Sequence, residues 1–181
     1  VSGEQRAKVK AMNYGLAYGL SAYGLSQQLG IAVSEARVLM DEYFENFGGV
    51  RDYLHEVVAQ ARKVGYTETM LGRRRYLPDL NSSNRQRREM AERAALNAPI
   101  QGSAADVIKV AMLDLAAALT AAGLASRMLL QVHDELVLEV APGELDTVDS
   151  LVRDKMGHAL QLSVPLDVSV GTGTSWHDAA H

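Results

Sequence analysis

The sequence contains no cysteine and has only four prolines and one tryptophan among 181 residues. The absence of cysteine excludes disulfides and thiolate metal sites, and it agrees with a reducing compartment. No apolar run approaches the roughly 20 residues that a membrane span requires, and the N-terminal stretch VSGEQRAKVK has no apolar segment of the signal-peptide type. We therefore expect a cytoplasmic protein without membrane association.

An overall excess of positive charge is also missing, but the charges are unevenly distributed. The net charge is −4. Residues 51–100 carry ten Lys and Arg against six Asp and Glu, a balance of +4, whereas residues 101–181 carry four against eleven, a balance of −7. A local basic face can bind phosphates while the whole molecule stays acidic. The middle of the chain is therefore the expected place for a polyanionic partner.

Hydrophobic periodicity predicts a mainly helical chain with two short hairpins. Helical patterns cover residues 4–30 with an interruption, 34–47 with Ser34 as N-cap, 50–65 after a glycine pair, 84–98, 103–123 and 143–160. Pro99 is expected to end the charged helix at Ala98. Hairpins are predicted around Leu71-Gly72 and around residues 133–135, the second with core strands, and residues 164–176 are predicted as one more strand. This composition indicates an α+β fold.

The stretch NYGLAYGLSAYGL, residues 13–25, contains the pair Tyr-Gly three times within a helical pattern. On one helix, four residues would recur every fourth position and line one face: Arg6, Lys10, Tyr14 and Tyr18. The two cations could hold phosphates, and a flat ring could meet a base or sugar. Gly15 and Gly19 would let a base pair approach the backbone closely. A solvated helix face with half-buried tyrosines accounts for the same spacing, so the spacing alone leaves both interpretations open.

The literal string RAKVKAMNYGLAYG is more specific, because it resembles the motif Arg-x-x-x-Lys-x-x-x-Phe/Tyr-Gly-x-x-Tyr-Gly of the fingers helix of family A DNA polymerases. Two later segments resemble that family in the same order. LGRRRYLPDLNSSNRQRREMAERAALNAPIQGSAADVIK resembles the segment from the fingers hairpin toward the palm, and LLQVHDELVLEV resembles the palm hairpin. The resemblance covers the whole chain. It implies a mainly helical fingers subdomain at residues 1–98, packed beside the C-terminal part of an antiparallel palm sheet at residues 99–181.

The resemblance implies nucleotide-binding roles for the residues of the first helix. Arg6 and Lys10 would contact the phosphates of an incoming deoxynucleoside triphosphate, and Lys10 would also give a proton to the leaving pyrophosphate. Tyr14 would pack on the base and sugar, beside Gly15, and Tyr18 would guard the pocket of the templating base. Tyr14 resembles the form that discriminates poorly against 2′,3′-dideoxynucleotides. We hypothesise that its hydroxyl partly substitutes for their missing 3′-hydroxyl.

A second set of polar residues, in the basic region, recurs every fourth position although Pro99 interrupts it: Arg93, Asn97 and Gln101. Every base pair offers acceptors in near-equivalent places in the minor groove, so such donors can check pair geometry without reading sequence. By the resemblance, Arg93 and Gln101 would touch the minor groove of primer–template DNA, Asn97 would contact the duplex or neighbouring side chains, and His133 would contact the primer end. A solvated helix fits Arg85, Arg87 and Arg88 better. The run at residues 73–75 has either a template-strand or a structural role.

Asp134 and Glu135 lie between two apolar runs and are expected to project from a hairpin turn, because charges avoid a core. The resemblance makes Asp134 one of two aspartates that hold paired Mg²⁺ ions, with Glu135 as an assisting carboxylate. The second aspartate of the family lies in a motif Asp-Tyr-Ser-Gln-Ile-Glu, a string that this sequence lacks. We therefore expect template-directed DNA synthesis only together with the upstream part of the same polymerase. A non-catalytic nucleic-acid-binding module derived from a polymerase is the alternative.

Overall fold

The computed structural model describes residues 3–179, so residues 1–2 and 180–181 of the predicted subdomains lie outside it. The elements are α1 (Gly3–Ala17), α2 (Ala22–Leu29), α3 (Val33–Asn46), α4 (Gly48–Val64), β1 (Tyr66–Glu68), β2 (Arg74–Tyr76), a 3-10 helix (Pro78–Asn81), α5 (Arg85–Ala121), β3 (Arg127–Val132), β4 (Glu135–Glu139), α6 (Leu145–Gly157) and α7 (Trp176–Ala179). The strands form two antiparallel pairs, β1–β2 and β3–β4. The predicted α+β class is confirmed. The chain forms two compact units, residues 1–103 and 104–181. The division into fingers and palm at residue 98 stays a prediction.

The N-terminal helical pattern is interrupted, as the glycine-rich sequence predicts. α1 ends at Ala17, and α2 begins after Ser21, whose hydroxyl accepts a hydrogen bond from the Gly24 amide at 3.2 Å. The prediction of Ser34 as N-cap is wrong. α3 begins at Val33, and the Ala32 carbonyl already accepts from the Ala36 amide at 2.9 Å. Ser34 therefore lies inside the first turn, where its side chain is not needed as a cap.

One core of the first unit joins α4, the 3-10 helix with the residue before it, and the beginning of α5. α4 closes at Gly65, which has φ 84° and donates its amide to the Ala61 carbonyl at 2.8 Å. β1 and β2 pair with Tyr66 opposite Tyr76, which confirms the first predicted hairpin. The buried side chains of this core are Ala61, Leu77, Leu80, Ala91 and Ala95.

α5 is one 37-residue helix with Pro99 inside it, so the predicted end at Ala98 is wrong. An interior proline costs about 3 kcal/mol, because it lacks an amide donor and crowds the preceding turn. Burial on both sides of the proline offsets this cost: Ala91 and Ala95 lie in the core of the first unit, and Leu115 and Leu119 in the core of the second. Between residues 3 and 179, no helix combines the length and the apolar character needed to cross a membrane.

The ends of α5 follow the sequence prediction. Asn84 Oδ1 accepts hydrogen bonds from the amides of Gln86 and Arg87 at 3.0 and 3.2 Å and so caps the first turn. At the other end Gly123 has φ 65°, and the Leu124 amide donates to the Leu119 carbonyl at 3.2 Å. This is the hydrogen-bond pattern of a glycine-terminated helix.

The second unit packs β3, β4 and α6 against the end of α5. Its buried residues are Leu115, Leu119, Val148 and Val152, joined by Met128, Leu136 and Leu138 from the hairpin. The prediction that both strands lie in a core is only half right, because Leu129 and Leu130 are 51% and 52% exposed.

The strand predicted at residues 164–176 does not form. Val168 and Val170 of this segment pack on the core, which explains its alternating apolar pattern. The Val168 carbonyl accepts a hydrogen bond from the Arg153 side chain at 2.9 Å, rather than from a neighbouring strand. The pattern therefore reflects burial of one side of an extended segment.

Candidate functional site

Three of the four residues of the predicted stripe lie on α1, whereas Tyr18 lies in the turn that directly follows Ala17. Arg6 and Lys10 are exposed, and the Tyr14 side chain is 55% exposed. Lys10 Nζ lies 5.9 Å from the centroid of the Tyr14 ring, and the rings of Tyr14 and Tyr18 stack with centroids 6.4 Å apart at an interplanar angle of 21°. The structure thus brings Lys10, Tyr14 and Tyr18 into one row.

This row has the chemistry that a triphosphate and a base require. An exposed cation–π contact contributes only about 0.5–1 kcal/mol, so an incoming phosphate can draw the ammonium of Lys10 away from the ring. The exposed Tyr14 ring can then offer its surface to a base or sugar. The Tyr18 ring stacks beside the Tyr14 ring, just after the end of α1.

The glycines beside the tyrosines are explained by packing inside the first unit. A Cβ atom at Gly15 would lie 2.9 Å from Leu20 Cδ2, and one at Gly24 would lie 2.8 Å from Leu20 Cδ1. Gly19 has φ 69°, and a Cβ there would lie 2.6 Å from Leu96 Cδ1. Gly15 is itself buried, which does not favour a substrate contact. A contact between the substrate and Gly15 therefore stays a prediction.

The continuity of α5 places the second predicted set on one helix face. Arg93, Asn97 and Gln101 are separated by four residues each, and at 1.5 Å per residue they span about 12 Å along the helix. Arg93 and Gln101 are exposed. Asn97 Oδ1 is buried and has no hydrogen-bond partner within residues 3–179. Because this oxygen is buried, it is not open to a partner molecule, and a contact of Asn97 with DNA stays a prediction.

The arginines of the first hairpin have different surroundings. Arg73 Nη2 donates to the Gly102 carbonyl at 2.9 Å. Arg74 Nε donates to Glu68 Oε1 at 2.6 Å, and its guanidinium lies 4.4 Å from the centroid of the Tyr66 ring. These contacts support the structural alternative for Arg73 and Arg74, although all three arginines of the run are exposed.

The acidic residues project from the turn between β3 and β4, as predicted. Val132 pairs with Glu135, so His133 and Asp134 form a two-residue loop. His133 has φ 55°, a left-handed conformation that tight hairpin loops use at their first position. All three residues from His133 to Glu135 are exposed. Among residues 3–179, no three His, Asp or Glu side chains converge on a position that could hold a metal ion.

Glu144 and Ser126 fix the other end of this hairpin, and sequence reasoning missed them. The Glu144 carboxylate accepts hydrogen bonds from the Ser126 hydroxyl at 2.5 Å and from the amides of Ala125 and Ser126 at 3.0 and 2.9 Å. Ser126 Oγ in turn accepts from the Ala141 amide at 2.9 Å. The Ser126 hydroxyl, followed by the amides, lowers the pKa of Glu144. No local sequence motif predicts this contact, because it joins residues that are 18 positions apart.

Comparison with known proteins identifies the family to which the chain belongs. Residues 1–178 match DNA polymerase family A, and the chain belongs to that family. The similarity covers both compact units and all the residues of the stripe, the α5 face and the hairpin turn.

Individual relatives carry the name DNA polymerase I. The chain is 71% identical over 181 residues to DNA polymerase I of Mycobacterium tuberculosis (strain ATCC 25618 / H37Rv), and 50% identical over 179 residues to that of Bacillus subtilis (strain 168). It covers 100% and 99% of its own length in these matches, but 20% of each relative. A solved structure, the POL domain of Pol1 from M. smegmatis in complex with DNA primer-template and dNTP, is similar with 67% identity and a TM-score of 0.97, covering 100% of this chain and 32% of that chain. The chain thus spans about a fifth of the curated relatives.

Proposed function

We propose that this chain is the part of a family A DNA polymerase that binds the incoming deoxynucleoside triphosphate and carries one catalytic carboxylate. The reaction is template-directed addition of a nucleotide to a primer 3′-hydroxyl. The observation that supports this best is the row formed by Lys10 and Tyr14 on the exposed face of α1 and by Tyr18 just after its end, in a chain that matches the family from residue 1 to residue 178. Location in the cytoplasm stays a prediction from the sequence.

The residues of α1 bind and orient the triphosphate in this proposal. Arg6 and Lys10 neutralise phosphate oxygens, and Tyr14 supports the base and sugar. The primer 3′-hydroxyl loses its proton to solvent as its oxygen attacks the α-phosphorus, and the bond from this phosphorus to the bridging oxygen breaks. Lys10 gives its proton to the departing pyrophosphate, a form of general acid catalysis that typically contributes 10²–10⁴-fold, as an order of magnitude. Tyr18 shapes the place of the templating base.

Primer–template DNA lies against the α5 face and the β3–β4 turn in this proposal. Arg93 and Gln101 are exposed donors that can reach minor-groove acceptors, which lie in near-equivalent places for all base pairs. Asn97 lies between them on the same face and would donate through its amide nitrogen, because its Oδ1 is buried. His133, held in its loop where Gln131 Nε2 donates to the His133 carbonyl at 2.6 Å, contacts the primer end.

The carboxylates at the hairpin turn fit part of a magnesium site. Mg²⁺ is usually bound through one or two carboxylates together with substrate phosphates and water. Asp134 would hold the ions as a direct ligand and Glu135 would assist, and both side chains are exposed at the turn. Bound ions would supply activation of the primer 3′-hydroxyl and neutralisation of the pyrophosphate charge. Among the described residues no complete site converges, and in this proposal the second aspartate of the family, in the upstream part of the polymerase, supplies a further ligand.

The experiment is primer extension by a chimera in which this chain replaces the matching fifth of M. tuberculosis DNA polymerase I. We expect the chimera to extend a primer in a template-dependent, Mg²⁺-dependent way, and the 181-residue chain alone to be inactive. Asp134→Asn should abolish extension without preventing binding of the primer–template, measured by fluorescence anisotropy. Lys10→Ala should reduce the rate constant of nucleotide addition by about 10²-fold or more.

Two results would overturn the proposal. A chimera that binds primer–template but does not extend it would favour the non-catalytic binding module. Extension that survives Asp134→Asn unchanged would mean that other carboxylates hold the ions. A Glu45→Gln chimera is the matched control, because Glu45 is an exposed carboxylate on α3, away from the proposed site residues in the sequence.

A further inference from the structure

We propose that the hairpin β1–β2 positions Gln101, and that Thr69, Gly102 and Ser103 therefore contribute to discrimination between paired and mispaired primer ends. This inference rests on the proposed function, because it assigns a supporting element to a residue proposed to contact the minor groove. It concerns positioning residues, since none of the three is proposed to touch the DNA.

Three contacts join the hairpin loop to the turn of α5 that follows Gln101. The Met70 amide donates to Ser103 Oγ at 2.9 Å, and Arg73 Nη2 donates to the Gly102 carbonyl at 2.9 Å. The third contact is steric: a Cβ atom at Gly102 would lie 2.5 Å from Thr69 Cγ2. The threonine methyl thus occupies the space beside Gly102 that a side chain would need.

The helix requires outside support at this point. Pro99 has no amide, so the Ala95 carbonyl loses the hydrogen bond that a regular helix would provide four residues later. The turn that carries Gln101 begins directly after this defect. A residue that checks the geometry of a base pair must be held firmly, because a misplacement of about 1 Å can cost on the order of 100-fold in rate.

Three hydrogen bonds close the hairpin loop that contacts α5. The Thr69 amide donates to the Arg73 carbonyl at 2.9 Å, and the Gly72 amide donates to the Thr69 carbonyl at 2.9 Å. Thr69 Oγ1 accepts from the Arg73 amide at 3.1 Å. Rotation of the Thr69 side chain to move its methyl away would also move Oγ1 and break this bond. A side chain at position 102 must therefore displace the loop or the helix.

The test uses the active chimera and compares kcat/KM for paired and mispaired primer ends. Discrimination is the kcat/KM for the paired primer end divided by that for the mispaired end. We expect Gly102→Ala to lower this ratio by about tenfold. Thr69→Ser/Gly102→Ala should restore the ratio, because serine keeps the hydroxyl and lacks the methyl, and the next nearest atom to the new Cβ is Thr69 Cβ at 3.9 Å. Gly49→Ala is the control, since a Cβ there meets nothing within 4 Å.

A double-mutant cycle with Gln101→Ala separates positioning from a general loss of stability. If the hairpin acts through Gln101, Gly102→Ala should change the ratio no further once Gln101 is alanine. Fully additive effects, or no restoration by Thr69→Ser, would overturn the inference. Should Gly102→Ala prevent folding, Ser103→Ala removes only the acceptor of the Met70 amide and should lower the ratio by about threefold. Failure of the proposed function gives a different result from failure of this inference, because the unmodified chimera would then extend neither the paired nor the mispaired primer.

Discussion

At the scale of single residues, the hydroxyl of Tyr14 can be tested apart from its ring. The ring is 55% exposed and stacks on Tyr18, and a phenylalanine would keep that stacking while removing only the hydroxyl. If the hydroxyl partly substitutes for a missing 3′-hydroxyl, Tyr14→Phe should raise discrimination against dideoxynucleotides. A hydrogen bond to a charged group contributes about 1.5–3 kcal/mol, which corresponds to roughly 10- to 150-fold.

The measurement for Tyr14 is competition between dNTP and ddNTP in primer extension by the chimera. Incorporation of the ordinary dNTP should change little, since the contacts of the ring remain. Equal rejection of ddNTP by the parent chimera and by its Tyr14→Phe variant would contradict the hypothesis. Tyr23→Phe is a matched control, because Tyr23 is also an exposed tyrosine that precedes a glycine.

At the scale of elements, the corner between α1 and α2 depends on space reserved for Leu20. A Cβ at Gly24 would lie 2.8 and 2.9 Å from two atoms of Leu20. Overpacking of this kind costs about 1–3 kcal/mol and exceeds the gain of up to about 1 kcal/mol from replacing glycine in a helix. We expect Gly24→Ala to lower the free energy of unfolding by about 1 kcal/mol.

Gly49→Ala tests the same replacement of glycine by alanine at a position where no side chain such as Leu20 lies close to the new Cβ. Gly24 and Gly49 both lie in the first turn of a helix, but Gly49 has nothing within 4 Å of a new Cβ. It should therefore be neutral or stabilising by up to about 1 kcal/mol. Urea unfolding of the chain, followed by circular dichroism, measures both. Destabilisation of equal size in the two variants would show that Leu20 is not the cause.

Glu144 makes the base of the second hairpin sensitive to acid. Its pKa is lowered by the Ser126 hydroxyl and two amides, so the ionised form stabilises the fold. A lowered folded pKa gives stability that is complete above the ordinary value of 4.5 and is lost as the pH falls through the lower folded value. Glu144→Gln should therefore speed hydrogen exchange of the Ala125 and Ser126 amides at neutral pH. The difference from the parent protein should shrink below pH 4.5; an unchanged difference would contradict this account.

At the scale of the whole molecule, the structural features that depend only on residues close in sequence, such as the ends of helices, were predictable. Asn84 caps a helix and Gly65 and Gly123 close helices, because caps and left-handed glycines act within one turn. Pro99 misled the prediction, since its local cost is offset by burial of α5 residues that precede and follow it in the sequence. The segment after residue 163 misled it too, because alternating burial does not require a partner strand. The row on α1 followed from spacing, whereas the contacts of Glu144 and Thr69 join distant residues that no local pattern connects.

The distribution of charge gives a prediction for the molecule as a whole. Residues 1–103 carry 14 Lys and Arg against 11 Asp and Glu, whereas residues 104–181 carry four against eleven. DNA binding should therefore depend on arginines of the first unit whose charge is not already paired. Arg75 and Arg87 are exposed, whereas Arg85 donates to Glu89 at 2.7 Å and lowers the pKa of that carboxyl.

Salt dependence distinguishes such arginines, because each phosphate contact to duplex DNA contributes about 0.9 to the slope of log K against log salt concentration. Arg75→Gln/Arg87→Gln in the chimera should weaken primer–template binding and reduce the magnitude of that slope by up to about 2. Arg85→Gln should change it less, since the Arg85 guanidinium already pairs with the Glu89 carboxylate. Anisotropy titrations at several salt concentrations measure the slopes. Equal slopes for all three proteins would place the phosphate contacts elsewhere, and the positive balance of the first unit would then serve only to keep its helices solvated.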